Sequence, residues 1–157
     1  MKTPAAIYTE REKSMVIDDI DIPEPGPSHV VVKQFATGVC HSQIHELNRP
    51  NPLTPLVLGH ESTGVVVATG SAVTHVKVGD HVMVTWVQRG ASPTLRAPTP
   101  ATVTYKGTPI NYGSPVFTGV FTWAETVIID EQFIVPLEKS MATDVTSIIG
   151  CAVMTGC

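Results

Sequence analysis

Between residues 5 and 135 the apolar side chains arrive in short β-branched runs, broken every few positions by Gly, Pro or Asp. Runs of this kind suit strands, because an amphipathic helix needs apolar residues recurring at three- and four-residue steps. Strands are expected at residues 5–8, 15–20, 29–37, 64–69, 81–85 and 124–129. Turns are expected at Pro23-Glu24-Pro25-Gly26-Pro27, Gly70-Ser71 and Val78-Gly79-Asp80, where Gly and Pro supply the required dihedrals. Short strands at this spacing imply a mainly β fold that closes into a small barrel. Two helical pieces fit around it: one over 42–48, ended by Pro50 and Pro52, and one or two short ones from Met141 onward.

At 157 residues the chain holds one domain's worth of core. Its net charge of −4 argues against a polyanion-binding surface, which needs clustered Lys and Arg, so nucleic acid is not an expected partner. The first thirteen residues carry Lys2, Glu10, Arg11, Glu12 and Lys13 and lack the apolar stretch of an export signal. No run approaches the roughly 18 apolar residues of a spanning helix, so no membrane is expected. Three cysteines are too few for a disulfide framework and suit a reducing, cytoplasmic setting.

Residues 87–122 differ in kind. Pro93, Pro98, Pro100, Pro109 and Pro115 fall here with many threonines, no acidic residue, and only Arg89, Arg96 and Lys106 charged. With Tyr105, Ile110, Tyr112, Val116 and Phe117 to pack, an irregular but structured lobe is expected rather than disorder. The apolar run 148–154 is followed at once by the last three residues, which reads as an interrupted chain.

Cys40, His60 and Cys151 are the candidates for chemistry. Taken singly, each cysteine reads more readily as a buried inert thiol and the histidine as a turn residue. Their surroundings change that. Gly59-His60-Glu61, Gly64, Gly70 and Val73 reproduce the pattern G-H-E-x2-G-x5-G-x2-V, with Gly38-Val39-Cys40-His41-Ser42 before it and Val78-Gly79-Asp80-His81-Val82 and Ile149-Gly150-Cys151 after it. On these motifs, from about residue 5 to 156, the chain resembles the catalytic domain of the zinc-containing medium-chain alcohol dehydrogenases.

The resemblance implies a GroES-like, partly open barrel with short helices, holding one catalytic zinc through Cys40, His60 and Cys151. Scattered thiolate and imidazole ligands leave a fourth position open, where a structural zinc is closed by paired cysteines. Glu61 would stand behind the metal, as an outer partner or an occasional ligand during exchange. Ser42 and His45 match the family's proton relay, from substrate oxygen through a hydroxyl and the cofactor ribose to a surface imidazole. Ser42 also reads as a helix cap, and His45 as an exposed helical residue. His41 matches a position facing the cofactor pyrophosphate, and equally suits a solvated side chain. The implied reaction interconverts an alcohol and an aldehyde or ketone by hydride transfer with NAD or NADP, in an intact enzyme expected to be a homo-oligomer.

The chain also departs from the family. Gln43 stands where many relatives have an aspartate that orients the ligand histidine. Its carbonyl can still accept the imidazole N–H, but an uncharged partner raises the ring's basicity less, so weaker zinc binding is expected. The four closely spaced cysteines of a structural zinc are missing from the lobe, and no structural zinc is expected. Cys157 is the only rival to Cys151, while His29, His75 and His81 show no ligand spacing. The G-x-G-x-x-G of a dinucleotide-binding domain is absent, so that domain is expected to lie outside this chain. Two other readings use the same scaffold: a non-catalytic GroES-like binding or interaction module, and a zinc-free quinone or enoyl reductase, which has no use for Cys40 and His60 together.

Overall fold

The computed structural model describes residues 1–9, 14–90, 96–113 and 119–157. Among these, ten strands form two antiparallel sheets. They are β1 (Lys2–Thr9), β2 (Ser14–Asp21), β3 (His29–Thr37), β4 (Leu56–Val57), β5 (Ser62–Thr69), β6 (His81–Val84), β7 (Thr104–Tyr105), β8 (Thr108–Pro109), β9 (Thr126–Asp130) and β10 (Ile134–Leu137). One sheet has the order β4-β1-β2-β7-β8 and the other β10-β6-β5-β3-β9.

Burial follows strand position. In β1, Thr3, Ala5 and Ile7 face inward while Lys2 and Pro4 face out, the period of a sheet with one wet face. In β3, between β5 and β9, four successive residues, His29 to Val32, are buried, so both faces of the strand are covered there. The two sheets meet along the segment leading into β9. Ala6 N–H donates to the Trp123 carbonyl (2.8 Å), Glu125 N–H to that of Pro4 (2.9 Å), and Gln34 N–H to that of Glu125 (2.9 Å). Residues 123–125 therefore bridge β1 and β3 and curl the sheets into a half-barrel. Its core includes Ile7, Ile20, Val30, Val66, Phe121 and Ile128. The mainly β, partly open barrel expected from the sequence is the fold that forms.

Among the described residues three α-helical pieces complete it, α1 (His41–Leu47), α2 (Thr143–Thr146) and α3 (Met154–Gly156), with a 3-10 turn at Glu131–Phe133 and a π-helical turn at Ile149–Val153. No helix of the described residues is long and apolar enough to cross a membrane. Four strands were not expected. β4, β7 and β8 are two residues long, too short to show any period. β10 contains Pro136, which an edge strand tolerates because its outer N–H side needs no partner.

Residues 96–113 pack against both sheets. The β7–β8 hairpin turns at Lys106-Gly107, both at positive φ (50° and 81°), the two-residue geometry that matches strand twist. Tyr105 donates to Asp18 (2.8 Å) and the Lys106 ammonium lies 3.0 Å from the same carboxylate, pulling Asp18 down to about 2. Arg96 grips Asp130 with two nitrogens (2.7 and 2.9 Å). Pro93, Pro115, Val116 and Phe117 lie outside the described residues.

Candidate metal centre

Each candidate ligand is placed by the end of a regular element. Cys40 follows β3 by three residues and is the N-cap of α1. His60 sits in the turn between β4 and β5, and Cys151 in the π-helical turn. Three glycines let these segments touch. A Cβ on Gly38 would stand 2.5 Å from Glu61 Oε1, and one on Gly150 2.7 Å from the Val84 carbonyl oxygen. Gly59 is the most constrained: its φ is +98°, and a Cβ there would run into the Thr122 hydroxyl and stand 2.8 Å from the Thr122 amide.

Glu61 ties the three segments together. Its carbonyl oxygen accepts the Gly38 N–H (3.0 Å), the Thr37 hydroxyl (3.0 Å) and the Thr122 hydroxyl (3.3 Å), which fixes the exit of β3 against the start of β5. Its carboxylate Oε2 accepts the Ala152 N–H (2.9 Å), which holds the π-helical turn in place. Thr85 adds a second tie by donating to the Gly150 carbonyl (2.7 Å). Trp123 donates its indole N–H to the Gly38 carbonyl (3.2 Å), and its own amide binds the Leu58 carbonyl (2.9 Å). Thr37, Thr122 and Trp123 were not among the residues singled out from sequence. Nothing in their local context marks them, since their role is set by partners 24 to 85 positions away.

The result is a cluster. One ligand atom from each of Cys40, His60 and Cys151 lies within 4.8 Å of the others. The two sulfurs are 3.8 Å apart, and His60 Nε2 is 3.2 Å from Cys151 Sγ. Zinc with Zn–S bonds of about 2.3 Å and tetrahedral angles would separate two sulfurs by about 3.8 Å and a sulfur from a nitrogen by about 3.6 Å. The donor set fits a zinc ion with the imidazole drawn back by a few tenths of an ångström. Cys157, the rival ligand, is exposed and outside the cluster.

Electrostatics distinguish the two thiols. Burial raises both, but at Cys40 the Ser42 hydroxyl and amide and the Cys151 thiol outweigh it, and the pKa falls below the ordinary thiol value. Cys151 is pushed up to about 11, by burial and then by the neighbouring Cys40. Of the two thiols, Cys40 is therefore the one that gives up its proton first. Burial lowers the His60 pKa and keeps the ring neutral, as a ligand must be. It raises Glu61, against the pull of the Ala152 and Cys151 amides. Glu61 Oε1 is buried and makes no hydrogen bond among the described residues.

Gln43 does not act as the sequence suggested. Its carbonyl is not available to His60, because Oε1 accepts the Cys40 backbone N–H at 2.8 Å; the amide nitrogen faces His60 Nδ1 instead, at 3.5 Å. Nor does Ser42 cap the helix. Its oxygen is buried near the Cys40 sulfur without a well-formed hydrogen bond among the described residues. His41 and His45 are exposed on α1, their rings edge to face at 4.8 Å. His29, His75 and His81 lie elsewhere, bonded to the Thr99 carbonyl, bonded to the Ile134 carbonyl, and packed on Phe35.

Residues 26–139 match the family described as the alcohol dehydrogenase GroES-like domain. The chain belongs to that family. An alcohol dehydrogenase of Moraxella sp. (strain TAE123) is 43% identical over 88 residues, covering 53% of this chain and 25% of the relative. The class-3 alcohol dehydrogenase of Drosophila melanogaster is 30% identical over 170 residues, covering 97% of this chain and 45% of the relative. This GroES-like domain thus spans about half the length, or less, of the curated relatives it matches. Among solved structures, an alcohol dehydrogenase zinc-binding domain protein from Burkholderia ambifaria superimposes with a TM-score of 0.82 at 24% identity, covering 99% of this chain and 47% of the other. Benzyl alcohol dehydrogenase from Acinetobacter calcoaceticus gives 0.77 at 24% identity, covering 99% and 46%. At that identity the likeness establishes the GroES-like fold.

Proposed function

We propose that this GroES-like domain is the zinc-holding catalytic part of an alcohol dehydrogenase, one that interconverts an alcohol and an aldehyde or ketone while a hydride passes to or from NAD or NADP. The convergence of Cys40, His60 and Cys151 within 4.8 Å carries the reading. Zinc held there would supply a Lewis acid, its charge balanced by two thiolates, that polarises an alcohol or carbonyl oxygen at the fourth position. The relatives named alcohol dehydrogenases supply the substrate class.

The remaining residues take their roles from position. The Ser42 hydroxyl, whose oxygen is buried near the Cys40 sulfur, would take the proton of a substrate hydroxyl while passing its own on toward His45. His45, exposed on the same helix, hands that proton to solvent. His41, also exposed, meets the cofactor pyrophosphate. Glu61 braces the ligand segments, and its Oε1, without a hydrogen bond among the described residues, would be an occasional metal contact during exchange. Zinc analysis of the purified chain tests the centre. After incubation with excess zinc, up to one zinc per chain is expected in the wild type and none in Cys40→Ser or His60→Ala; equal metal in all three overturns the proposal.

A further inference from the structure

We propose that Gln43 is a positioning residue that holds the His60 proton on Nε2, so that this centre takes up its metal weakly and releases it readily. The inference rests on the metal-centre reading above and concerns a side chain of this domain that the reading left without a role.

Gln43 is 1% exposed, and its amide cannot be turned end for end at no cost. Oε1 accepts the Cys40 N–H at 2.8 Å, the bond that closes the N-terminus of α1. A reversed amide would set its NH2 group against that N–H, donor against donor. The backbone therefore decides which end is oxygen. The other end, an NH2 group, lies 3.5 Å from His60 Nδ1. A donor at that place asks for a lone pair on Nδ1, which leaves the proton of the neutral ring on Nε2. Nε2 is in turn 3.2 Å from Cys151 Sγ, in reach to donate to it. Three donors thus run head to tail, from the Cys40 amide through Gln43 and His60 to the Cys151 sulfur.

Metal ligation needs the opposite polarity. Nε2 is the nitrogen that faces the sulfurs, so it must offer a lone pair, and the ring proton must sit on Nδ1. Nδ1–H then confronts the Gln43 NH2 group, and turning the amide moves the conflict to the Cys40 N–H. One opposed pair of buried donors persists in either arrangement. Loss of a matched outer partner of a ligand histidine weakens metal binding by about 10- to 100-fold. A glutamate of the same length has an acceptor at both ends and would satisfy Cys40 N–H and Nδ1–H together.

The experiment pairs a tautomer readout with an affinity. Long-range ¹⁵N–¹H spectra of the metal-free 157-residue chain are expected to show His60 protonated on Nε2, and those of Gln43→Glu to show it on Nδ1. In chelator competition with Zn²⁺ and Co²⁺, Gln43→Glu is expected to bind about 10- to 100-fold tighter than wild type. A wild-type ring protonated on Nδ1 overturns the proposal, as does a folded Gln43→Glu with wild-type affinity. Should Gln43→Glu fail to fold, the wild-type spectrum alone decides. Cys151→Ser keeps the two ideas apart: wild-type metal affinity in that variant sinks the metal centre, while the tautomer assignment still stands or falls on the spectrum.

Discussion

Gly59 shows how much of the site depends on an absent side chain. It precedes His60, adopts φ +98°, and leaves no room for a Cβ beside the Thr122 amide and hydroxyl. Strain at positive φ costs about 1–2 kcal/mol for other residues and overpacking about 1–3 more, so Gly59→Ala is expected to lose about 3 kcal/mol in urea unfolding. A change under about 0.5 kcal/mol would mean that the turn gives way and that His60 is held by something else. Gly38 makes the same demand on Glu61: a methyl group would push against the carboxylate that ties down the Ala152 amide. Both glycines were visible in the sequence as parts of motifs. Their physical reason was not, because it lies in Thr122 and Glu61, partners reached only after the chain has folded. The direction of the Gln43 amide was equally hidden, since a single backbone N–H decides it.

Among the elements, the segment 96–113 is held to the barrel chiefly by side chains. Asp130, at the end of β9, is buried; it accepts two bonds from Arg96, one from the Thr99 amide and one from the Gln132 amide. Burial alone would raise its pKa, but these partners outweigh it and hold the value below that of a free aspartate. A carboxylate depressed in the folded state stabilises fully above its unfolded pKa of about 3.9, and that contribution drains away as pH falls through the folded value. Asp130→Asn is therefore expected to be about 2 kcal/mol less stable at pH 7 by urea titration, and the gap should narrow by pH 3. A gap that is constant from pH 7 to 3 would show that charge is not what matters. Long strands such as β3 and β5 could be read from β-branched runs. The pairs of residues that form β4, β7 and β8 could not, because each becomes a strand only when a neighbour supplies the register.

For the molecule as a whole, the three candidate ligands come from the end of β3, the β4–β5 turn and the π-helical turn, so a bound ion would cross-link distant parts of one barrel. Ligand that binds only the folded chain adds about 2.7 kcal/mol at a free concentration 100 times Kd. At roughly 2–4 °C per kcal/mol for a chain of this size, calorimetry should show a Tm rise of about 5–10 °C with zinc, and none in Cys151→Ser. An equal rise in that variant would place the ion elsewhere. The separation of the ligands has one more outcome. Cys151 stands 111 residues after Cys40. A ribosome adding about 5–20 residues per second leaves roughly 6–20 s between their appearances. For the last 91 of those residues the growing polypeptide offers one thiol and one imidazole to any soft cation it meets, and only the late arrival of the second sulfur completes the set of three.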